Sequence, residues 1–441
     1  SPSLNASAAM TLMFCLLFAF CGAAQAQEAV TESVQKRPRP EYDPIGFELD
    51  RLFTDTAAMV KGRTASDPER PRGALSSFLV LPKIELDLTY TDNLYRARTN
   101  ERADLVTVMH PTMEIKSDWD NHSLQFLASA GIGRHDRTVS EDYEDYKIGT
   151  NGVLVVGDLT SINGSVGAER GHEQRGVVDD PGANFGPTFV DSYKFSVGGE
   201  HRVPDGVLIR PYFGLSQFRH QDNGVIDNSD RWRDEYKYRL RLGYEFTPGT
   251  TLFAQPDYTS TVYRRTFDRN GLRRDTQLFE FLTGVTWDAS SVTFLEAGIG
   301  FLSANFDDPT FSGETNPLAR LELTWNATSL ITVNTSIDRT FNPTATTGLA
   351  GTIDSVFQTS VDWEAFYGVI LGAGYVYRNE EFIDAVPAHT RAAHQVSASA
   401  RWLINEHFFA RGEITHETRS GDDPLDSLAR NQVLVTLGAQ L

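Results

Sequence analysis

The stretch Tyr236–Phe246, YKYRLRLGYEF, alternates strictly. Tyr236, Tyr238, Leu240, Leu242, Tyr244 and Phe246 are apolar or aromatic, and Lys237, Arg239, Arg241, Gly243 and Glu245 lie between them. Two is the period of a β-strand, whose successive side chains point to opposite faces. A helix would scatter the same six apolar side chains around its circumference. A strand this long, greasy on one face and charged on the other, needs an apolar medium on one side and water on the other.

The pattern recurs from Ser77 to the end of the chain. Ile84, Leu86, Leu88 and Tyr90 alternate with Lys83, Glu85, Asp87 and Thr89. Leu321, Leu323 and Trp325 alternate with Arg320, Glu322 and Thr324. Ile331, Val333, Thr335 and Ile337 alternate with Thr332, Asn334, Ser336 and Asp338. The final stretch keeps Val433, Val435, Leu437, Ala439 and Leu441 on one face. No helical periodicity interrupts this run.

Turn signals divide the run. Short ones fall at Trp119 (DWDN), Asp158 (GDLT), Asp205 (VPDG), Pro248 (TPGT), Ala289 (DASS), Ala327 (NATS), Phe366 (EAFYG) and Glu406 (NEH), spaced 38 to 47 residues apart. Between them lie longer polar segments such as QDNGVIDNSD and RNEEFIDAVPAH. Each period is therefore a short turn, a strand, a long loop and a strand. Eight short turns, with both chain ends on their side, predict an all-β, closed antiparallel transmembrane barrel of about 18 strands. Closure is required because an open sheet edge in lipid leaves backbone groups unpaired.

Tryptophan supports the same assignment. Trp119, Trp287, Trp325, Trp363 and Trp402 all sit beside or in short turns, and only Trp232 lies by a long loop. Five of six at one rim is the expected aromatic girdle of a membrane interface.

The segment before the strands has a different character. MTLMFCLLFAFCGAAQAQ is an apolar run followed by Ala24-Gln25-Ala26, the form of a signal peptide over residues 1–26. Lipid attachment at Cys21 fits less well, because Phe18 and Phe20 occupy positions where such a site takes Leu and a small residue. Cys15 and Cys21 are the two cysteines of the chain, so a cleaved product would have neither thiol nor disulfide. Residues 27–77 are polar and proline-rich and read as a periplasmic N-terminal arm. Within it Leu49, Leu52, Phe53, Ala57 and Val60 fall at helical spacing, which predicts a short amphipathic helix over 47–61. The barrel takes residues 78–441.

Several passages resemble a family of outer-membrane barrels, the beta-barrel porin 2 type of Gram-negative bacteria. They are RPRPEYDPIG (37–46), SFLVLPKIELDLTYTDNLY (77–95), DLVTVMHPTMEIKSDWDNHSLQF (104–126) and EDYEDYKIGTNG (141–152). The match is good over the first hairpins and is one of pattern beyond Asp158. The resemblance implies an association with exopolysaccharide production, hence passage of polymer across the outer membrane with a periplasmic export partner. Phe47–Gly73 looks inserted relative to the family pattern. Leu441 stands where barrel assembly signals usually carry an aromatic.

Parity assigns the lumen-facing charges. The cations are Lys83, Lys116, Arg210, Lys237, Arg239, Arg241, Arg320, Arg401 and Arg411. The acids are Glu85, Asp87, Glu114, Glu245, Glu280, Glu296, Glu322, Asp338 and Glu413. Nine against nine gives a wet, ion-paired wall without a clear preference for either sign. Lys237, Arg239 and Arg241 admit two readings: a basic ladder for an acidic polymer or solute, or cations paired with Glu280 and other neighbours. The plug candidates are an infolded loop and the Leu49–Val60 helix.

The formal charge of −19 argues against nucleic acid, which needs basic surface. The ten histidines are dispersed without a nucleophile–base pairing, so no catalysis, cofactor or metal is expected. RGHE (170–173), HTRAAH (389–394) and EDYEDY (141–146) are the only segments with metal-binding composition, and none has a defined ligand spacing. Outer-membrane lipid and lipopolysaccharide are the expected surroundings, and polysaccharide or a small polar solute the expected cargo. General solute diffusion, and a non-conducting adhesive surface barrel, are the alternatives to polymer passage. An infolded constricting loop would mark a solute channel.

Overall fold

The computed structural model describes residues 78–440 except 120, 181–184, 225, 291 and 424–425. The expected signal peptide, arm and 47–61 helix lie outside the described residues, as does Leu441.

Eighteen antiparallel strands follow one another around a ring. They are β1 (Phe78–Thr91), β2 (Asp104–Ser117), β3 (Ser123–His135), β4 (Tyr143–Val156), β5 (Thr160–His172) and β6 (Phe189–Val203). Next come β7 (Val207–His220), β8 (Arg233–Thr247), β9 (Thr250–Tyr263), β10 (Thr276–Ser290), β11 (Thr293–Phe306) and β12 (Glu314–Trp325). The ring ends with β13 (Ile331–Pro343), β14 (Gly351–Phe366), β15 (Val369–Ile383), β16 (His389–Leu403), β17 (Phe408–Gly421) and β18 (Leu428–Gln440). β1 pairs with β18 from Lys83–Gln440 to Thr91–Gln432, which closes the sheet and removes its edges. Single 3-10 turns at Val139–Glu141 and Ser229–Arg231 are the helical structure among the described residues.

The eight short connections fall at the eight turn signals, and nine longer loops occupy the other rim. At the third short turn, between β6 and β7, Asp205 and Gly206 both take positive φ, 77° and 89°, the mirror-turn geometry that matches strand twist. A Cβ on Gly206 would come 2.6 Å from the Glu245 carbonyl oxygen, so only glycine fits there.

Parity separates the two faces. On the outer face Ile84, Leu86, Leu88, Tyr238, Leu242, Tyr244, Ile299, Val433, Val435 and Leu437 are exposed, because lipid takes the place of a protein core. Trp119, Trp287, Trp363 and Trp402 are also exposed near the short-turn rim, and Trp325 ends β12 on the same side. Trp232 is at the opposite rim, donating through Nε1 to the His220 carbonyl at 2.7 Å.

One ladder is incomplete. β12 and β13 share only five rungs, from Leu321–Ile337 to Trp325–Val333. Above them β12 stays paired to β11 and β13 to β14, but not to each other. An apolar cluster explains where the upper part of β13–β15 goes. It joins Phe253, Leu282, Leu302, Ala304 and Leu318, which have inward parity on β9–β12, to Phe341, Ile353 and Ile383, which have outward parity on β13–β15. Leu302 is 0% and Ile353 1% exposed. Those two sets can meet only if the upper β13–β14 hairpin leaves the wall and lies on the lumen side of β10–β12. Regular alternation in β13 and β14 predicts a straight wall here, and the structure departs from it.

Candidate lumen and its constriction

The strand pairing sets the inner wall. Lys237, Arg239 and Arg241 stack along β8, and their acid partners come from β9, β10 and β11. Arg239 donates from Nε and Nη2 to Asp257, at 2.8 to 3.0 Å. Lys237 lies 3.7 Å from Asp257 and 3.9 Å from Glu280. Arg241 donates from both terminal nitrogens to Glu296, at 2.9 and 2.8 Å, and packs on the Phe253 ring with its guanidinium carbon 3.6 Å from the centroid. Arg320 continues the network to Glu280 at 3.8 Å and to Asp338 at 2.8 Å. The basic ladder is therefore neutralised in place.

Asp257 is only 2% exposed and holds two of these cations, yet strand parity did not single it out. Its strand reads LFAQPDYTSTVY, where Pro256 and the threonines blur the alternation. The signal was its register opposite Arg239.

Toward the short-turn rim the remaining pairs are local. Lys83 bridges to Glu85 at 2.9 Å, and Lys116 to Glu114 at 2.7 Å. Asp87 meets His110 at 3.3 Å. Arg210 and Arg202 share Glu200, and Arg202 also reaches Glu245 at 3.5 Å. Arg411 pairs with Glu413. Arg401 packs 5.7 Å from the Phe409 centroid. Glu322 stands opposite Glu296 in the β11–β12 ladder. Both signs thus line the wall, mostly as pairs, which keeps it hydrated without a net field.

The acids of the 141–146 segment are also engaged. Glu141 takes Arg175, Glu144 takes Arg134, and Asp145 takes His172. His389 and His394 fall on opposite faces of β16: His389 bridges to Asp426 at 2.8 Å, while His394 meets the Tyr375 hydroxyl on the outside.

At the long-loop rim, the described residues of the β5–β6 connection, 173–180 and 185–188, reach into the lumen. The connection is anchored near its origin by Arg175, which donates to Glu141 at 2.6 and 2.8 Å, to Asp180 at 2.9 Å and to the Phe185 carbonyl at 2.5 Å. Arg231 holds Glu173 and lies 3.3 Å from Asp179. Burial works to raise the Glu173 carboxyl, but hydrogen bonds from His220 and Arg231 and the Arg231 charge outweigh it and bring it down to about 2.

Two further contacts reach the loop from distant strands. Arg419 on β17 donates to the Gly176 carbonyl at 3.1 Å. The Thr344 and Thr346 hydroxyls at the β13–β14 tip donate to Asp179 at 2.6 and 2.7 Å. That tip is eight strands away from the loop in an eighteen-strand ring, close to diametrically opposite. Arg274, from the β9–β10 loop, fixes the tip from a third side. It donates to the carbonyls of Thr344 (3.1 Å), Leu349 (2.5 Å), Ala345 (3.4 Å) and Thr346 (3.2 Å), with Asp268 as its counter-ion. Loop and hairpin tip together narrow the mouth.

A family model described as "Putative beta-barrel porin 2" matches residues 68–441. No curated protein matches the sequence. Similar solved structures include the siderophore receptor PirA from Pseudomonas aeruginosa, at 11% identity over 81% of this chain and 80% of that one, TM-score 0.41. OccK3 (OpdO) from the same organism matches at 11% identity over 82% and 95%, TM-score 0.41. Its outer membrane protein opdK matches at 9% identity over 82% and 99%, TM-score 0.42.

Proposed function

Since this chain belongs to the family described as "Putative beta-barrel porin 2", we propose that it is an outer-membrane channel for small polar solutes, constricted at the outer mouth by residues 173–180 of the β5–β6 connection. The observation that carries this reading is the loop's engagement by residues far around the ring from its own root, Arg419 at Gly176 and Thr344 and Thr346 at Asp179. A barrel of this strand number encloses an aqueous lumen unless something fills it. An infolded loop turns that lumen into a size filter. The paired wall charges below it supply polar contacts that a hydrated solute can exchange for water.

Polysaccharide passage with a periplasmic partner draws no support from this geometry. A polymer needs a clear axial path, and two elements meet across the mouth. The 27–77 segment is read as a periplasmic tether, because β1 begins at the short-turn rim, where Phe78 pairs with Ser117.

The test is conductance in planar bilayers and swelling of proteoliposomes in sugars of graded size. The intact chain, a variant with 177–185 replaced by a short glycine linker, and a variant lacking residues 28–76 would be compared. Loop removal is expected to raise both conductance and the size limit, and arm removal to change neither. Equal size limits with and without the loop would sink the constriction, and no conductance in any form would sink the channel.

A further inference from the structure

The β13–β14 hairpin is built to fit two places. Its outward-parity residues Ile331, Val333, Ile337 and Phe341 on β13, and Ile353, Phe357, Val361 and Trp363 on β14, form a mainly apolar stripe, as on a lipid-facing wall, broken by Thr335, Arg339, Ser355 and Thr359. In the structure the upper members of that stripe, Phe341 and Ile353, instead cover Leu282, Leu302 and Leu318. Those three leucines have inward parity and would otherwise meet lumen water. An apolar patch on the water side of a channel wall has no use in an unobstructed pore. It is the seat of this hairpin.

The seated position carries a conflict. Five rungs of the β12–β13 ladder are made, and the strands diverge above Leu321 and Ile337. Pro317 and Ala319, on the unpaired edge of β12, are opposite Phe301 and Ile299, whose exposed side chains face lipid. The missing rungs are thus at membrane depth, where unpaired backbone is costly. Ser355 Oγ, of outward parity on the hairpin, is buried without a hydrogen-bond partner, and so is the Nε of Arg339, whose Nη2 donates to Glu381 at 2.9 and 3.1 Å. Against these stand the apolar seat, the Arg274 clamp on four carbonyls and the Asp179 bonds to Thr344 and Thr346. Arg274 is 2% exposed at its side chain and its partner Asp268 0%.

We propose that the β13–β14 hairpin is a gate that swings between its seat on the inner face of β10–β12 and a place in the wall, where the β12–β13 ladder zips closed and the lumen opens. Zipping continues the existing register, bringing Ala319 opposite Arg339, Pro317 opposite Phe341 and Thr315 opposite Pro343. It returns Phe341 and Ile353 to lipid and withdraws Thr344 and Thr346 from Asp179, and it carries Arg339 outward together with its partner Glu381, so that the charge moves as an ion pair. Arg274 is the positioning residue that holds the closed state.

This inference rests on the channel reading, and its test separates the two. Thr315→Cys and Pro343→Cys are introduced into the full chain with Cys15 and Cys21 replaced by serine, with and without Arg274→Ala. Directly opposed strand residues are close enough for a disulfide, whereas these two are unpaired in the closed state. Cross-linking is read by gel mobility and conductance in planar bilayers, and heat-modified mobility reports folding. The expected result is slow cross-linking in the clamped protein, at least several-fold faster with Arg274→Ala, and a high-conductance level held by the disulfide and abolished by dithiothreitol. Should Arg274→Ala not fold, Thr344→Val with Thr346→Val provides the unclamped form. A folded, unclamped protein that never cross-links overturns the gate and leaves the channel standing. Cross-linking without any conductance overturns the channel and keeps the movement.

Discussion

Arg241 on β8 and Glu296 on β11 form a two-pronged ion pair across two intervening strands, at 2.8 and 2.9 Å. Side chains on a convex outer face diverge, so this reach is available only on the concave inside. The guanidinium is 4% exposed, shielded by Phe253 and bonded also to Thr286 at 3.0 Å.

Removing one partner of such a pair leaves the other charge buried alone. Arg241→Leu is expected to destabilise the barrel by about 3–5 kcal/mol. Arg241→Met combined with Glu296→Leu should recover most of that loss, since both charges are then gone. Urea unfolding in detergent, followed by tryptophan fluorescence, checks the pair as a double-mutant cycle.

Asp257 is the shared counter-ion of Lys237 and Arg239. Asp257→Asn removes that shared charge and leaves Lys237 beside Glu280 at 3.9 Å. The reversal potential in a KCl gradient should move toward anion preference, by a few-fold in permeability ratio. An unchanged reversal potential would mean that permeating ions do not sense this part of the wall.

Glu173 links the root of the constricting loop to Arg231 and His220, with Asp179 beside Arg231. Its folded value is depressed to about 2, below the ordinary carboxyl value of 4.5. The stabilisation is therefore complete above about pH 4.5 and is lost as pH falls through about 2. Amide hydrogen exchange in 173–188 should rise across that window, relative to the intrinsic rate. Glu173→Gln should show the looser loop already at neutral pH and a flatter profile.

Ile299 is 70% exposed on the lipid-facing side of β11. Ile299→Arg should cost about 2–4 kcal/mol in a bilayer, because a charge is placed in hydrocarbon. Ser360→Arg, at inward parity on β14, should be near neutral. Unfolding from liposomes compares the two, and equal losses would contradict the assignment of faces.

Alternation and turn spacing together made the barrel legible in sequence: strand count, closure, the short-turn rim and the tryptophan positions all follow from residues a few positions apart. Parity also assigns each charged residue of a strand to one face, which is how the candidate inner-wall charges were chosen. Their partners were not legible. Asp257 binds Arg239 through a register between strands, and Arg241 finds Glu296 across two more. Parity says that a side chain points inward and nothing about how far it reaches.

The sequence by itself determined that residues 78–440 form a two-faced sheet that must close in lipid, because a local period of two and an unpaired edge admit no other solution. Tertiary structure alone decided what occupies the lumen. Phe341 and Ile353 carry the same lipid-facing signal as Val361 and Trp363, yet they lie against Leu302 and Leu318. The inward leucines at 282, 302 and 318 were the one trace of this in the chain. An apolar side chain gains as much from burial against protein as from contact with lipid, so its hydrophobicity cannot say which one it meets.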